Sequence, residues 1–61
     1  MNNDWISTKE LLPPEKQVVY TKIDDEKGIR NEQRLIYYHN LWFLADISMY
    51  VYYTPTHWKK I

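Results

Sequence analysis

The side chains able to do chemistry in this chain are few and scattered. Two histidines, His39 and His57, and two serines, Ser7 and Ser48, supply bases and hydroxyls, but there is no cysteine to act as a nucleophile. Serine catalysis sets the hydroxyl on a sharp, glycine-flanked elbow beside a histidine. Neither serine has a glycine neighbour, because Gly28 is the only glycine in the chain. No phosphate-cradling glycine loop and no His-Glu-x-x-His pair occurs. A pair of carboxylates needs a cleft to push its pKa values apart, and so short a chain has little room for one. A metal could draw on His39, Asp46 and His57, since imidazole and carboxylate both bind zinc, yet their spacing matches no ligand motif. His57, between Thr56 and Trp58, reads instead as a structural histidine with a ring nitrogen bonded to backbone. These residues predict a protein that is not an enzyme, with no catalytic residue, no cofactor and no metal.

Recognition is the chemistry that the composition favours. Three Trp, six Tyr and one Phe crowd into 61 residues, and Tyr and Trp are the side chains most enriched at interface hot spots. Tyr20, Arg34, Tyr38, Tyr50 and Tyr53 form the candidate interaction surface for a protein partner. Trp5, Trp42, His57 and Trp58 are assigned to structure. The alternative is a single-stranded nucleic-acid-binding module, in which Tyr20, Tyr38 and Tyr53 stack on bases while Lys22, Arg34, Lys59 and Lys60 meet phosphates. Eight basic and eight acidic side chains give zero net charge, which argues against duplex nucleic acid and against a strongly acidic DNA mimic. Neutrality also permits self-association, and an edge strand offers a route to a homodimer.

The elements that must position these residues are short. Residues 1–4 are polar and expected to fray, and 5–61 are expected to form a single β-rich domain. Ser7-Thr8-Lys9-Glu10 has the capping-box pattern, so one helical turn is predicted over 8–12 before Pro13-Pro14 ends it. Strands are predicted at 17–23, 33–38, 41–45 and 49–54, with a short edge strand at 56–59. The polar stretch 24–32 around Gly28 reads as a loop, and His39-Asn40 as a tight turn. Apolar and aromatic residues occupy both parities of Leu35-Ile36-Tyr37-Tyr38 and Tyr50-Val51-Tyr52-Tyr53. The fold class is therefore all-β or α+β, a twisted antiparallel sheet of four or five strands. Either it curls into a small, partly open barrel, or one face meets a partner. Trp5, Val18, Tyr20, Ile36, Trp42, Leu44 and Trp58 are the expected core.

No stretch approaches the ~18 apolar residues of a membrane span, and no signal peptide is recognisable. Those features lead to an expectation of a soluble, cytoplasmic protein without membrane contact. The opening Trp5-Ile6-Ser7, then Leu12-Pro13-Pro14-Glu15 and Val18-Val19, resembles the start of the domain-of-unknown-function 551 family. Tyr37-Tyr38-His39-Asn40-Leu41-Trp42 is similar to that family's tyrosine-rich middle, and Thr56-His57-Trp58 to its end. Lys59-Lys60-Ile61 departs from the family's usual Met-Pro-Leu-Pro tail, and Glu15-Lys16 stands where the family often has a glycine turn. The resemblance implies a compact β domain of phage or prophage origin and assigns no catalytic residue. It makes the expected function that of a non-enzymatic, protein-binding accessory factor whose partner is a host or phage protein, with a host defence component of restriction or CRISPR type as one target.

Overall fold

The computed structural model describes residues 5–61, so the expected fraying of 1–4 lies outside the described residues. The chain folds as an all-β protein: β1 (Ile6–Ser7), β2 (Val18–Asp25), β3 (Gly28–Tyr38), β4 (Leu41–Leu44) and β5 (His57–Lys60). They make one antiparallel five-stranded sheet in the order β1-β5-β2-β3-β4. The sheet is open, with β1 and β4 at its two edges, and does not close into a barrel. No helix forms among the described residues. The predicted helical turn reduces to one turn, in which the Ser7 carbonyl accepts the amides of Glu10 (3.0 Å) and Leu11 (3.1 Å). Ser7 Oγ accepts the Lys9 amide at 3.2 Å, not the Glu10 amide of a capping box. With Pro13-Pro14 following at once, no second turn can propagate.

Local backbone chemistry explains the connections. His39 (φ 51°) and Asn40 (φ 63°) are both left-handed, which gives the β3–β4 hairpin the mirror-image turn that suits strand twist. The β2–β3 connection is much tighter than the loop expected over 24–32. Strand pairing runs out to Asp25 and Gly28, leaving only Glu26-Lys27 as the turn. Asp25 Oδ1 accepts the Lys27 amide at 2.9 Å, and Gly28 takes the φ of 112° that resets the chain after the turn. Between the Thr21–Gln33 and Ile23–Arg30 pairs the register slips, and β3 carries the extra residue. Asn31 absorbs the slip in the left-handed region, which asparagine tolerates. Residues 24–32 looked like loop because both strands of this arm overhang the core and carry polar, exposed side chains.

Two further expectations are corrected. The predicted strand at 49–54 survives only as a single bridge, Phe43 to Tyr50. After Ile47 turns the chain, Leu44 donates to the Met49 carbonyl (2.9 Å) and Val51 to the Trp42 carbonyl (2.8 Å). The chain then leaves β4 and crosses the sheet over 52–56. On the way the Tyr53 hydroxyl accepts the Gln33 side-chain amide, and Pro55 is buried. This path delivers β5 between β1 and β2, so the segment expected at the edge is interior to the sheet.

The core lies on one face. Val19, Leu35, Tyr37, Trp42 and Trp58 form the buried cluster, and Ile6, Leu44 and Val51 pack against it. Thr21 is fully buried on the same face, its hydroxyl satisfied by the Gln33 carbonyl at 2.9 Å. Trp42 and Trp58 are buried there as expected, and Ile36 is buried on the opposite face between Val18 and Phe43, while Val18, Leu44 and Trp5 are only half-buried and Tyr20 is 40% exposed. The reason is parity: Val19 and Thr21 face the core, which sends Val18 and Tyr20 to the opposite face.

Trp58, 2% exposed, pairs with Ile6 and Thr21 and donates its indole N–H to the Leu11 carbonyl at 2.8 Å. Trp58→Ala is expected to cost about 3–5 kcal/mol and to unfold so small a domain at moderate temperature. A melting curve matching the parent would remove Trp58 as the closing residue. Ile47 is strained in the opposite sense, a β-branched residue at φ 60° with 62% of its surface exposed. Ile47→Gly should therefore stabilise the fold by about 1 kcal/mol, read as a rise in melting temperature.

Candidate functional site

The face opposite the core carries a row of cations and rings assembled by register. Tyr20 on β2 stands directly across from Arg34 on β3 and from Lys59 on β5, and directly paired residues project to the same side of a sheet. The Lys59 ammonium lies 4.8 Å from the centre of the Trp5 ring and 5.9 Å from that of Tyr20. Lys22 reaches the same indole at 4.3 Å while pairing with Asp24 at 3.4 Å. Trp5 is thus placed against two ammonium groups on the outer face, where the electron-rich ring face attracts them. The expectation of Trp5 as a core residue is corrected accordingly.

This row opens into a groove of about 960 Å³. Trp5, Lys59, Tyr20 and Arg34 line it on one side; Leu44, Ala45 and Asp46 line it where β4 ends, and Glu32 contributes from β3. The groove exists because β4 stops at Leu44 while β3 runs back to Gly28, so beyond Leu35 no strand among the described residues pairs with β3 on that side. Among the described residues, Arg34 and Lys59 make no ion pair, in contrast to Arg30, which clamps Asp25 at 2.9 and 3.1 Å. Asp46 is kept ionised by its own turn. The Ser48 amide, 3.0 Å from Oδ1, and then the Ser48 hydroxyl hold its carboxyl below the ordinary value.

By strand parity Arg34 and Tyr38 project to the outer face with Tyr20, and Tyr50 bridges Phe43 on that face, but the five predicted interaction residues do not line one concavity. Tyr20 and Arg34 meet in the groove. Tyr38 is half-buried farther along the same face of β3, its ring edge-on to His39 (4.1 Å) with the Lys16 ammonium 5.2 Å above it. With Ile36, Phe43 and Ile47 it lines a small apolar pocket of about 240 Å³. Lys16, in the turn where the resembled family often has glycine, is itself left-handed at φ 70°. Tyr50 stacks edge-on between Phe43 (6.1 Å) and Tyr52 (5.5 Å), and Tyr52 is 88% exposed. Tyr50 and Tyr53 share a depression of about 210 Å³ beside the start of β4. Sequence reasoning did not single out Glu32 and Asp46 as part of the site, and no spacing signal links them to Tyr20.

The residues weighed for catalysis or metal are also placed. Ser7 pairs across the sheet with His57, yet Ser7 Oγ accepts the Lys9 amide and His57 Nδ1 lies 2.8 Å from Thr56 Oγ1. The partner of His57 is thus a side-chain hydroxyl, not the backbone group expected, because Thr56 Oγ1 is fixed beside it by the Asp24 amide at 2.8 Å. Trp42 is tilted on Tyr37 at 5.0 Å within the core. No group of three or more His, Asp or Glu able to hold a metal occurs among the described residues, nor does a helix long and apolar enough to cross a membrane.

The Asp46 turn gives a direct check. Its carboxyl titrates lower folded than unfolded, so its stabilisation is complete above the ordinary 3.8 and is lost as pH falls through the depressed value. Ser48→Ala, which keeps the amide and removes only the hydroxyl, should raise Asp46 part of the way towards 3.8 in a carboxyl NMR titration. An ordinary titration of Asp46 in the parent protein would contradict the turn geometry. No protein-family model, no curated protein and no solved structure matches the chain.

Proposed function

We propose that the chain is a non-enzymatic protein-binding factor that docks its partner in the groove beside Tyr20 and Arg34. The observation that carries the reading is the groove's mixed character. Exposed Tyr20 and half-buried Trp5 alternate with Lys59 and Arg34, while Glu32 and Asp46 line the same concavity. Aromatic anchors beside arginine are the composition of protein hot spots. A groove that follows a phosphate backbone depends on uncompensated basic charge along its length. The motif resemblance alone supports a phage or prophage accessory role in the host cytoplasm and a host defence component of restriction or CRISPR type as target. A second reading, single-stranded nucleic-acid binding, is favoured by one observation: Lys59 lies against both Trp5 and Tyr20, with Arg34 next in the row.

Immobilised protein exposed to bacterial lysate tests both. The protein-binding reading expects capture that survives nuclease treatment. It also expects capture to drop about tenfold in Tyr20→Ala, with the melting temperature little changed because Tyr20 lies outside the core. Capture abolished by nuclease transfers the case to the nucleic-acid reading, and capture of nothing in either condition overturns both.

A further inference from the structure

We infer that the groove receives an extended partner segment with an acidic residue seated over the Lys59–Tyr20–Arg34 row, an inference that rests on the protein-binding reading. The four cations on or beside this region differ in what they already hold. Lys22 is paired with Asp24 at 3.4 Å and Arg30 with Asp25 at 2.9 Å. Arg34 and Lys59 have no carboxylate partner among the described residues. They flank one tyrosine on adjacent strands, so a carboxylate laid across Tyr20 reaches a guanidinium on one side and an ammonium on the other. The ring contacts of Lys59 use its aromatic-facing side and position the ammonium in advance, which lowers the ordering cost of binding.

The rest of the groove selects the form of the ligand. Past Arg34 the row reaches the edge of β3, which beyond Leu35 has no strand beside it among the described residues, so the far end of a segment crossing the strands can hydrogen-bond to the backbone there. The bulge at Asn31 twists the strand and limits that pairing to the short stretch around 32–34. Sheet order places Lys59, Tyr20, Arg34 and then the β4 end with Asp46 in succession. A segment with its acid at the Tyr20 end and neutral or basic residues towards Asp46 and Glu32 matches this sequence of charges. A phosphodiester strand carries negative charge at every step and meets Asp46 and Glu32 with like charge.

The test uses isotopically labelled intact protein and three probes: a peptide of about ten residues with two central glutamates in a Thr/Val background, the same peptide with glutamines, and oligothymidylate. The glutamate peptide is expected to shift the resonances of Tyr20, Arg34 and Lys59 and to slow amide exchange around 32–34. The glutamine peptide should bind about tenfold more weakly, and Arg34→Gln or Lys59→Gln should each reduce binding of the glutamate peptide by a similar factor. Equal binding of the two peptides, no shift with either, or oligothymidylate shifting the row in their place overturns the inference. Lysate capture that persists in the Arg34→Gln, Lys59→Gln double variant while the peptides stay silent overturns this inference alone. Loss of all nuclease-resistant capture by the parent protein overturns the protein-binding reading beneath it.

Discussion

The structure depends on the insertion of β5 between β1 and β2. A chain of 61 residues without cysteine has neither a covalent staple nor much interior to hold its ends together. Trp58 meets that constraint by pairing with Ile6 on one side and Thr21 on the other, and by bonding to the Leu11 carbonyl 47 residues earlier. Thr8 reinforces the join through its hydroxyl to the Pro55 carbonyl at 2.9 Å and its amide to the Thr56 carbonyl at 2.9 Å. Both ends of the described chain are thus fastened at one place, through the strand that arrives last. Contacts so distant in sequence must wait for the β2–β3–β4 meander to form, since closing the loop is costly until the hairpins have drawn it in.

How much of this was legible in the sequence varies with the physical cause. The β3–β4 hairpin was readable because His39-Asn40 is both a short spacer and, through asparagine, a left-handed turn former. The overhanging part of the β2–β3 arm was not, because a two-stranded ribbon solvated on both faces has the polarity of a loop. Parity in β2 was equally hidden. Val18 and Tyr20 on one side and Val19 and Thr21 on the other both suit a strand, and Thr21 is buried only because the Gln33 carbonyl satisfies its hydroxyl. The aromatic run at 50–53 looked like a strand with two apolar faces. Its residues serve a crossing instead, with Val51 turned to the core and Tyr52 to solvent.

The candidate groove was less legible than the fold, for a related reason. It draws Trp5 from the start of the chain, Tyr20 and Arg34 from the central hairpin, Asp46 from the turn after β4 and Lys59 from the end. No local spacing encodes that set, because only the order and register of the sheet assemble it. Tyr38, Tyr50 and Tyr53 share composition with Tyr20 but line other concavities, Tyr38 and Tyr50 farther along the same outer face, so composition grouped residues that the groove does not bring together. The strained positions also fall outside the groove. Left-handed Lys16 and Ile47 both border the apolar pocket at Tyr38, where two turns fold back towards the same face.

Closure and groove are nevertheless one construction, because successive residues of a strand point to opposite faces. Trp58 faces the core and Lys59 the solvent, so the strand that seals the fold also carries the ammonium to Trp5 and Tyr20. A one-residue slip of β5 would exchange the two, burying a charge and exposing an indole, and that penalty fixes the register of the groove. The terminal tryptophans therefore have different tasks despite their symmetric places in the chain. Trp58 closes the interior, whereas Trp5, carried by the two-residue edge strand it precedes, holds the cations of Lys22 and Lys59 on the outer face. The interaction that makes so short a chain fold is thus the same one that orders its most distinctive surface.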